Sequence, residues 1–258
     1  MISRKTLEKV YRRYNRRKYV HPDPLEFLYN YPEIEDREIA GLIASSLAYG
    51  RVTQILVSAS KVLGAMGDSP RDFITDSSRR LRSKLFCDFC HRFASGNNLL
   101  DLLDDVRAIL REYGSLNECF TAGIRKSDKT VLPALNVFLS RFSCAGNHLI
   151  PGPGGNSPCK RMNLFLRWMV RKDKVDPGGW KGVSKNMLIV PLDTHMARIG
   201  RKLKLTRLKS PGLRMAVEIT NSFRKITPED PVKYDFAITR FGIRGDMTES
   251  MSELGLKS

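Results

Sequence analysis

The sequence lacks any long apolar run. Its best stretch, Ile39 to Ala48, is short and broken by Gly41, Ser45 and Ser46, so no segment reads as a membrane span. The N-terminus opens Met-Ile-Ser-Arg-Lys and stays polar, which argues against a secretory signal and for a cytoplasmic protein. Cysteine is scarce: Cys87, Cys90, Cys119, Cys144 and Cys159 are an odd set of five, which argues against a disulfide framework. Cys87-Asp88-Phe89-Cys90 is a lone CxxC, half of a zinc site, in a stretch that reads as amphipathic helix. Neither a metal nor a cofactor is expected. Repeats and low-complexity tracts are absent. Acidic residues are outnumbered, 27 Asp and Glu against 44 Lys and Arg, for a formal net charge of +17. Such an excess gains nothing in folding, because like charges repel; attraction to a polyanion is the use it points to. A solubilising surface, and an acidic or membrane partner, are the other uses it admits.

What is present is ordinary globular material. With 258 residues, 41% of them hydrophobic, the chain is long enough for one unit with a real core. Apolar residues recur at helical spacing over Ser3 to Tyr19, Pro24 to Tyr29, Asp36 to Ala48, Thr53 to Met66, Arg71 to Ile74, Leu81 to Phe93, Asn97 to Tyr113 and Lys129 to Arg141. The run His148 to Pro158, HLIPGPGGNSP, is too rich in proline and glycine for anything but a loop. Helices are predicted again over Lys160 to Arg171, Thr194 to Leu203, Pro211 to Arg224 and Pro231 to Gly242, with a Gly- and Pro-containing connector over Val175 to Val190. Leu188-Ile189-Val190 is the one short extended piece, and 246–258 reads as a frayed tail. The class is all-α. The small residues Gly41, Ala44, Ser45, Ser46 and Ala48 predict close approach of a second helix. Leu164, Phe165, Trp168 and Met169 form one apolar face and read as core.

The most informative segment is Leu192-Asp193-Thr194-His195-Met196-Ala197-Arg198-Ile199-Gly200-Arg201-Lys202-Leu203-Lys204-Leu205. On physical grounds Asp193 is an N-cap, its carboxylate accepting from the open N–H groups of a helix that begins at Thr194. The segment also resembles the (V/L)DTH-x-x-R-x-x-x-R-L-x-L signature of helix-hairpin-helix DNA glycosylases, the superfamily of endonuclease III. The resemblance implies a two-lobed helical fold with non-contiguous lobe boundaries, and makes Asp193 the essential carboxylate. It would stabilise positive charge at C1′ of the sugar or help activate the nucleophile. His195 and Arg198 match motif positions too, with structural or DNA-backbone roles.

Glu38 to Val52 resembles the segment in which these enzymes carry an apolar helix, a small-residue turn and then DNA-contacting side chains. The turn here reads Ser46-Leu47-Ala48-Tyr49-Gly50-Arg51, which departs from the usual pattern. Tyr49 is the candidate to stack on a base and Arg51 to reach a phosphate. The family hairpin, L-P-G-[VI]-G, has its counterpart in Ile150-Pro151-Gly152-Pro153-Gly154-Gly155-Asn156. Gly152, Gly154, Gly155 and Asn156 are the expected phosphate contacts, although Pro153 removes one N–H donor. Asn156 stands where bifunctional members place their catalytic lysine. Lys160, at the start of the next helix, is the substitute amine nucleophile, and Arg161 beside it is a candidate DNA phosphate contact. A divergent archaeal branch, the 8-oxoguanine glycosylases, likewise keeps a lysine just after the hairpin and roughly thirty residues before the aspartate. Lys160 and Asp193 are 33 apart. The iron–sulfur members carry four cysteines near their C-terminus, and this chain has none after Cys159. Trp168, Trp180 and Phe241 are left to packing or base stacking. Trp180, beside Gly178-Gly179, is a candidate to touch a flipped base. So is Tyr234, within Tyr234-Asp235-Phe236, where Asp235 could equally cap a helix or pair with an arginine.

The segments CKRMNLFLRWMVRKD, VDPGGW, VPLDTH and TPEDPVKYDFAITRFGI closely resemble a little-characterised family of microbial proteins, a domain of unknown function related to these glycosylases. The resemblance runs from about Leu28 to Ile243. It fixes the family rather than an activity. The glycosylase resemblance implies a monomeric base-excision glycosylase, with or without AP lyase activity, that acts on lesion-containing double-stranded DNA in the nucleoid, and the archaeal analogy alone puts oxidised guanine first among its substrates. A non-catalytic DNA-binding module and an RNA-binding protein are the alternatives, because scaffold and charge alone do not fix chemistry.

Overall fold

The computed structural model describes residues 2–152 and 154–243, with the side chains of 241–243 outside the description. Pro153, the 246–258 tail and the side chain of Phe241 therefore lie beyond it. Among the described residues twelve α-helices run in chain order: α1 (Arg4–Tyr14), α2 (Ile34–Ser46), α3 (Val52–Met66), α4 (Pro70–Asp76), α5 (Arg79–Phe86), α6 (Gly96–Tyr113), α7 (Leu116–Thr121), α8 (Leu132–Leu139), α9 (Lys160–Val170), α10 (Thr194–Lys202), α11 (Leu213–Arg224) and α12 (Asp235–Ile243). Short 3-10 turns occupy Arg17–Tyr19, Pro24–Asn30 and Lys185–Met187. The protein is mostly helical, and no described helix is long and apolar enough to cross a membrane.

Local chemistry sets most of the starts. Ser3, Ser69, Ser78, Ser95, Ser115 and Asp193 each accept a backbone N–H two or three residues into the following helix. Ser95 and Asn98 satisfy each other's open groups as a capping box. A single apolar core runs from Leu7 on α1 to Ile238 on α12, and α1 packs against α12. At its centre α2 is buried along nine consecutive residues, Glu38 to Ser46, and packs against α9. Gly41 permits the approach. A Cβ there would sit 3.3–3.4 Å from Leu28 Cδ2, Met169 Sδ and Phe165 Cδ2. Trp168, Phe165 and Met169 are fully buried, while Leu164 faces a cavity.

Two expectations change. The helix predicted over Leu81 to Phe93 ends at Phe86. A two-stranded antiparallel hairpin follows, β1 (Cys90–His91) paired with β2 (Ala94–Ser95). Arg92 takes a left-handed φ of 56° at the turn. Gly96 then passes so close to Phe86 O that a Cβ would lie 2.1 Å away. His91 explains the departure: its ring is fully buried, Nδ1 2.9 Å from Ser58 Oγ and Nε2 3.1 Å from Tyr49 O. Those long-range bonds outweigh helical periodicity over four residues. The second change is α7, which periodicity did not reveal. Its first two N–H groups, Leu116 and Asn117, donate at 2.7 and 3.0 Å to the buried Glu38 carboxylate on α2. The cap comes from 78 residues away. Leu188-Ile189-Val190 pairs into no strand and is buried, with Val190 N–H donating to Thr220 Oγ1 at 3.0 Å.

Candidate active site

A cavity of about 690 Å³ opens where α9, α10 and α12 meet the end of α2, the start of α3 and the turn at Pro22–Pro24. One face of α9 supplies Lys160, Arg161, Leu164 and Arg167. One face of α12 supplies Asp235, Phe236, Thr239 and Arg240. Asp193, Thr194 and His195 open α10 against the same space.

The start of α9 and the start of α10 converge here. Asp193 caps α10 as its sequence context predicts, Oδ1 accepting from Met196 N–H at 2.7 Å. Its other oxygen, Oδ2, stands 3.9 Å from Lys160 Nζ. Lys160 is the first residue of α9, reached through Cys159 in a left-handed conformation at φ 44°. A lysine and a carboxylate therefore share one wall, each partly exposed, with the positive ends of two helix dipoles beside them.

Arg161 is the next residue, and its Nη1 donates to the carbonyls of Ser46, His148 and Leu149 at 2.8, 2.6 and 2.9 Å. Its guanidinium lies 4.9 Å from the Tyr49 ring centroid. Burial lowers its pKa from the usual guanidinium value. Among the described residues no carboxylate pairs with it. Arg161 thus ties the end of α2 to the 148–158 loop, which removes much of the freedom a phosphate contact requires. Tyr49 lines the cavity, but its hydroxyl donates to His91 O at 3.0 Å and its ring stands edge-on to His91, centroids 4.7 Å apart.

On the α12 side, Asp235 is 3% exposed. Its Oδ2 pairs with Arg167 while Oδ1 has no hydrogen-bond partner. Burial, together with the nearby Asp193 and Asp176 carboxylates, pushes its pKa up to about 6 against the pull of Arg167. Arg240 pairs with Asp23 on the neighbouring wall. Arg167, Asp23 and Arg240 were not singled out by sequence. Only the pairing of distant segments brings them together, and a DFAITRF helix shows no sign of it.

Other residues named from sequence fall elsewhere. Trp180 is a correction: it is 6% exposed, packs on Phe165 and Phe120, and donates from Nε1 to Glu38 Oε2 at 2.8 Å, so it does not line the cavity. Tyr234 is a second: it is 1% exposed, its hydroxyl 2.7 Å from Glu8 Oε1 and 3.0 Å from Thr227 Oγ1. Its two successors reach the cavity instead. Arg51 precedes α3 and Arg198 lies on the outer face of α10; both are exposed and neither lines the cavity. In the loop, Gly154, Gly155 and Asn156 are exposed and Gly152 is half-buried. The Gly154 N–H donates to Asn136 Oδ1 at 3.0 Å, and Asn156 O accepts from Leu213 N–H at 3.0 Å. Those two groups brace the loop rather than point outward. The paired cysteines of the CxxC, Cys87 and Cys90, are exposed and free.

No curated protein and no solved structure matches the chain. A family model described as a protein of unknown function (DUF2400) matches residues 23–244, a span that holds the cavity walls from Asp23 to Arg240. The chain belongs to that family.

Proposed function

We propose that the protein is a base-excision DNA glycosylase with AP lyase activity. The observation that carries the reading is Lys160 Nζ 3.9 Å from Asp193 Oδ2 on the wall of a cavity of about 690 Å³. That volume accommodates one extruded base. The resemblance of the LDTH segment to the glycosylase signature supports the same reading, as does the net charge of +17.

The chemistry follows from the pair. Asp193 takes a proton from the Lys160 ammonium, leaving a free amine. The amine lone pair forms a bond to C1′ of the extruded nucleotide. The N-glycosidic bond breaks, its electron pair leaves with the base, and the base takes the proton held by Asp193. Asp193, a carboxylate again, offsets the positive charge left on the sugar and on the bonded nitrogen. Opening of the sugar ring yields an imine between Nζ and C1′. The Asp193 carboxylate then takes a 2′ proton, the C–H electron pair forms a C2′–C3′ double bond, and the C3′–O bond breaks, which expels the 3′ phosphate and cuts the strand.

Borohydride trapping tests this. Intact protein is incubated with duplexes that carry 8-oxoguanine, uracil, thymine glycol or an abasic site, then reduced. A covalent protein–DNA adduct that disappears in Lys160→Ala is the expected result. An adduct that survives that substitution removes Lys160 from the mechanism. Base release without an adduct, abolished by Asp193→Asn, means that water is the nucleophile. Absence of both on every duplex leaves a DNA-binding module.

A further inference from the structure

Among the described residues, four large apolar side chains are conspicuously exposed: Val57, Leu81, Leu85 and Phe93. Single exposed apolar residues are normal. Phe93 differs in three respects. It is the most exposed, at 67%, and it is aromatic. It also sits at the tip of the β1–β2 hairpin, beside the cavity.

The placement is fixed from below. A hairpin with two-residue strands is marginal alone. This one is anchored by His91, buried between Ser58 Oγ and Tyr49 O. Tyr49 returns the bond from its hydroxyl to His91 O. The tip follows directly: Arg92 folds its side chain over Gly50, and a Cβ on Gly50 would lie 2.7 Å from Arg92 Cδ. Tyr49 and Gly50 are themselves cavity wall. On its other side the Phe93 ring leans on His148, centroids 5.6 Å apart, where the 148–158 loop begins. The Arg92 guanidinium is 5.4 Å from the Phe93 centroid. An exposed ring, a cation against it and a second exposed ring thus stand together on a hairpin tied to Tyr49 and Gly50 of the cavity wall.

We propose that Phe93 stacks on the bases flanking an extruded nucleotide, with Arg92 beside it on the phosphate backbone. An exposed aromatic face flanked by a guanidinium suits base stacking without sequence readout. This inference rests on the proposed function for the extruded nucleotide, and it reassigns the duplex-probing role from Tyr49, which is bonded into the hairpin, to the hairpin tip.

The test uses the full chain and a duplex with a tetrahydrofuran abasic analogue, which has no base to release. Phe93→Ala is expected to weaken binding to this duplex on the order of tenfold, while matched-duplex binding changes less than about twofold. In Phe93→Trp the new indole stands at the surface, whereas Trp168 and Trp180 are buried. Its emission is expected to be quenched by the abasic duplex and insensitive to protein concentration. Unchanged affinity in Phe93→Ala overturns the inference, as does unquenched emission. A concentration-dependent change without DNA overturns it too, in favour of contact between copies of the chain. Because the analogue cannot be turned over, loss of stacking here leaves any trapped adduct standing. Stacking without an adduct keeps the contact and removes the chemistry.

Discussion

The two ends of α9 use the same kind of side chain in opposite ways. At the C-terminal end Arg167 and Arg171 are almost wholly buried among four aspartates, Asp173, Asp176, Asp230 and Asp235. Arg171 donates to both Asp230 oxygens at 3.0–3.1 Å and pairs with Asp173 at 2.9 Å. Those carboxylates hold both guanidinia firmly charged. At the N-terminal end Lys160 has one carboxylate at 3.9 Å and is about a third exposed. A cation saturated with partners has no capacity left for a ligand; a cation with one loose partner does. One end of the helix locks α9 to the segments at 173–176 and 230–235, and the other is left to act.

Disturbing the closed end should cost most. Arg171→Ala leaves Asp176 and Asp230, both buried, and the partly exposed Asp173 without their shared cation, and thermal or denaturant unfolding should show a loss of about 3–5 kcal/mol. A loss under 1 kcal/mol would mean that the cluster is not closed to water.

Next in size is a pH effect from two buried carboxyls, one on α2 and one at the start of α12. Burial pushes Glu38 up to about 7 against three N–H donors, and Asp235 up to about 6. Both hold their protons more tightly folded than unfolded. Their contribution is complete at low pH and is lost as pH rises from about 4 to about 7, on the order of 3 kcal/mol for Glu38 alone. Asp173, lowered by Arg171, acts in the opposite sense and only in acid. Glu38→Gln should flatten the fall in melting temperature between pH 5 and pH 7. An unchanged slope would remove Glu38 as its source.

The open end should barely register in stability. Asp193→Ala removes a cap and should cost about 1 kcal/mol, while Asp193→Asn, which can still cap, should cost a few tenths at most. Lys160→Ala breaks one partly exposed pair and should stay within about 1 kcal/mol by the same unfolding measurement. A larger loss at Lys160 would make both ends structural and erase the contrast.

How far sequence reached follows from the range of the forces involved. The start of α10 and the role of Asp193 as its cap were legible, because capping acts within three residues. Close approach of a second helix to α2 was legible from Gly41 and its small neighbours; that the partner is α9 was not. Trp180 misled: Gly178-Gly179 signals a loop, but the indole turns inward to Glu38, 142 positions away. Tyr234 misled similarly, since its hydroxyl is claimed by Glu8 near the other terminus. Arg161 looked like a surface phosphate contact, yet three carbonyls from α2 and the loop hold it. In each case the deciding partner is remote in the chain, and composition and spacing carry no record of it.

The central claim is that Lys160 is the nucleophile, and peptide mapping of the trapped species tests it most directly. The protein is reduced with borohydride on an abasic duplex, digested and analysed by mass spectrometry. The expected result is a single modified site, Lys160 carrying the reduced sugar through Nζ. The same mass on another lysine, or on the N-terminal amine, would contradict it.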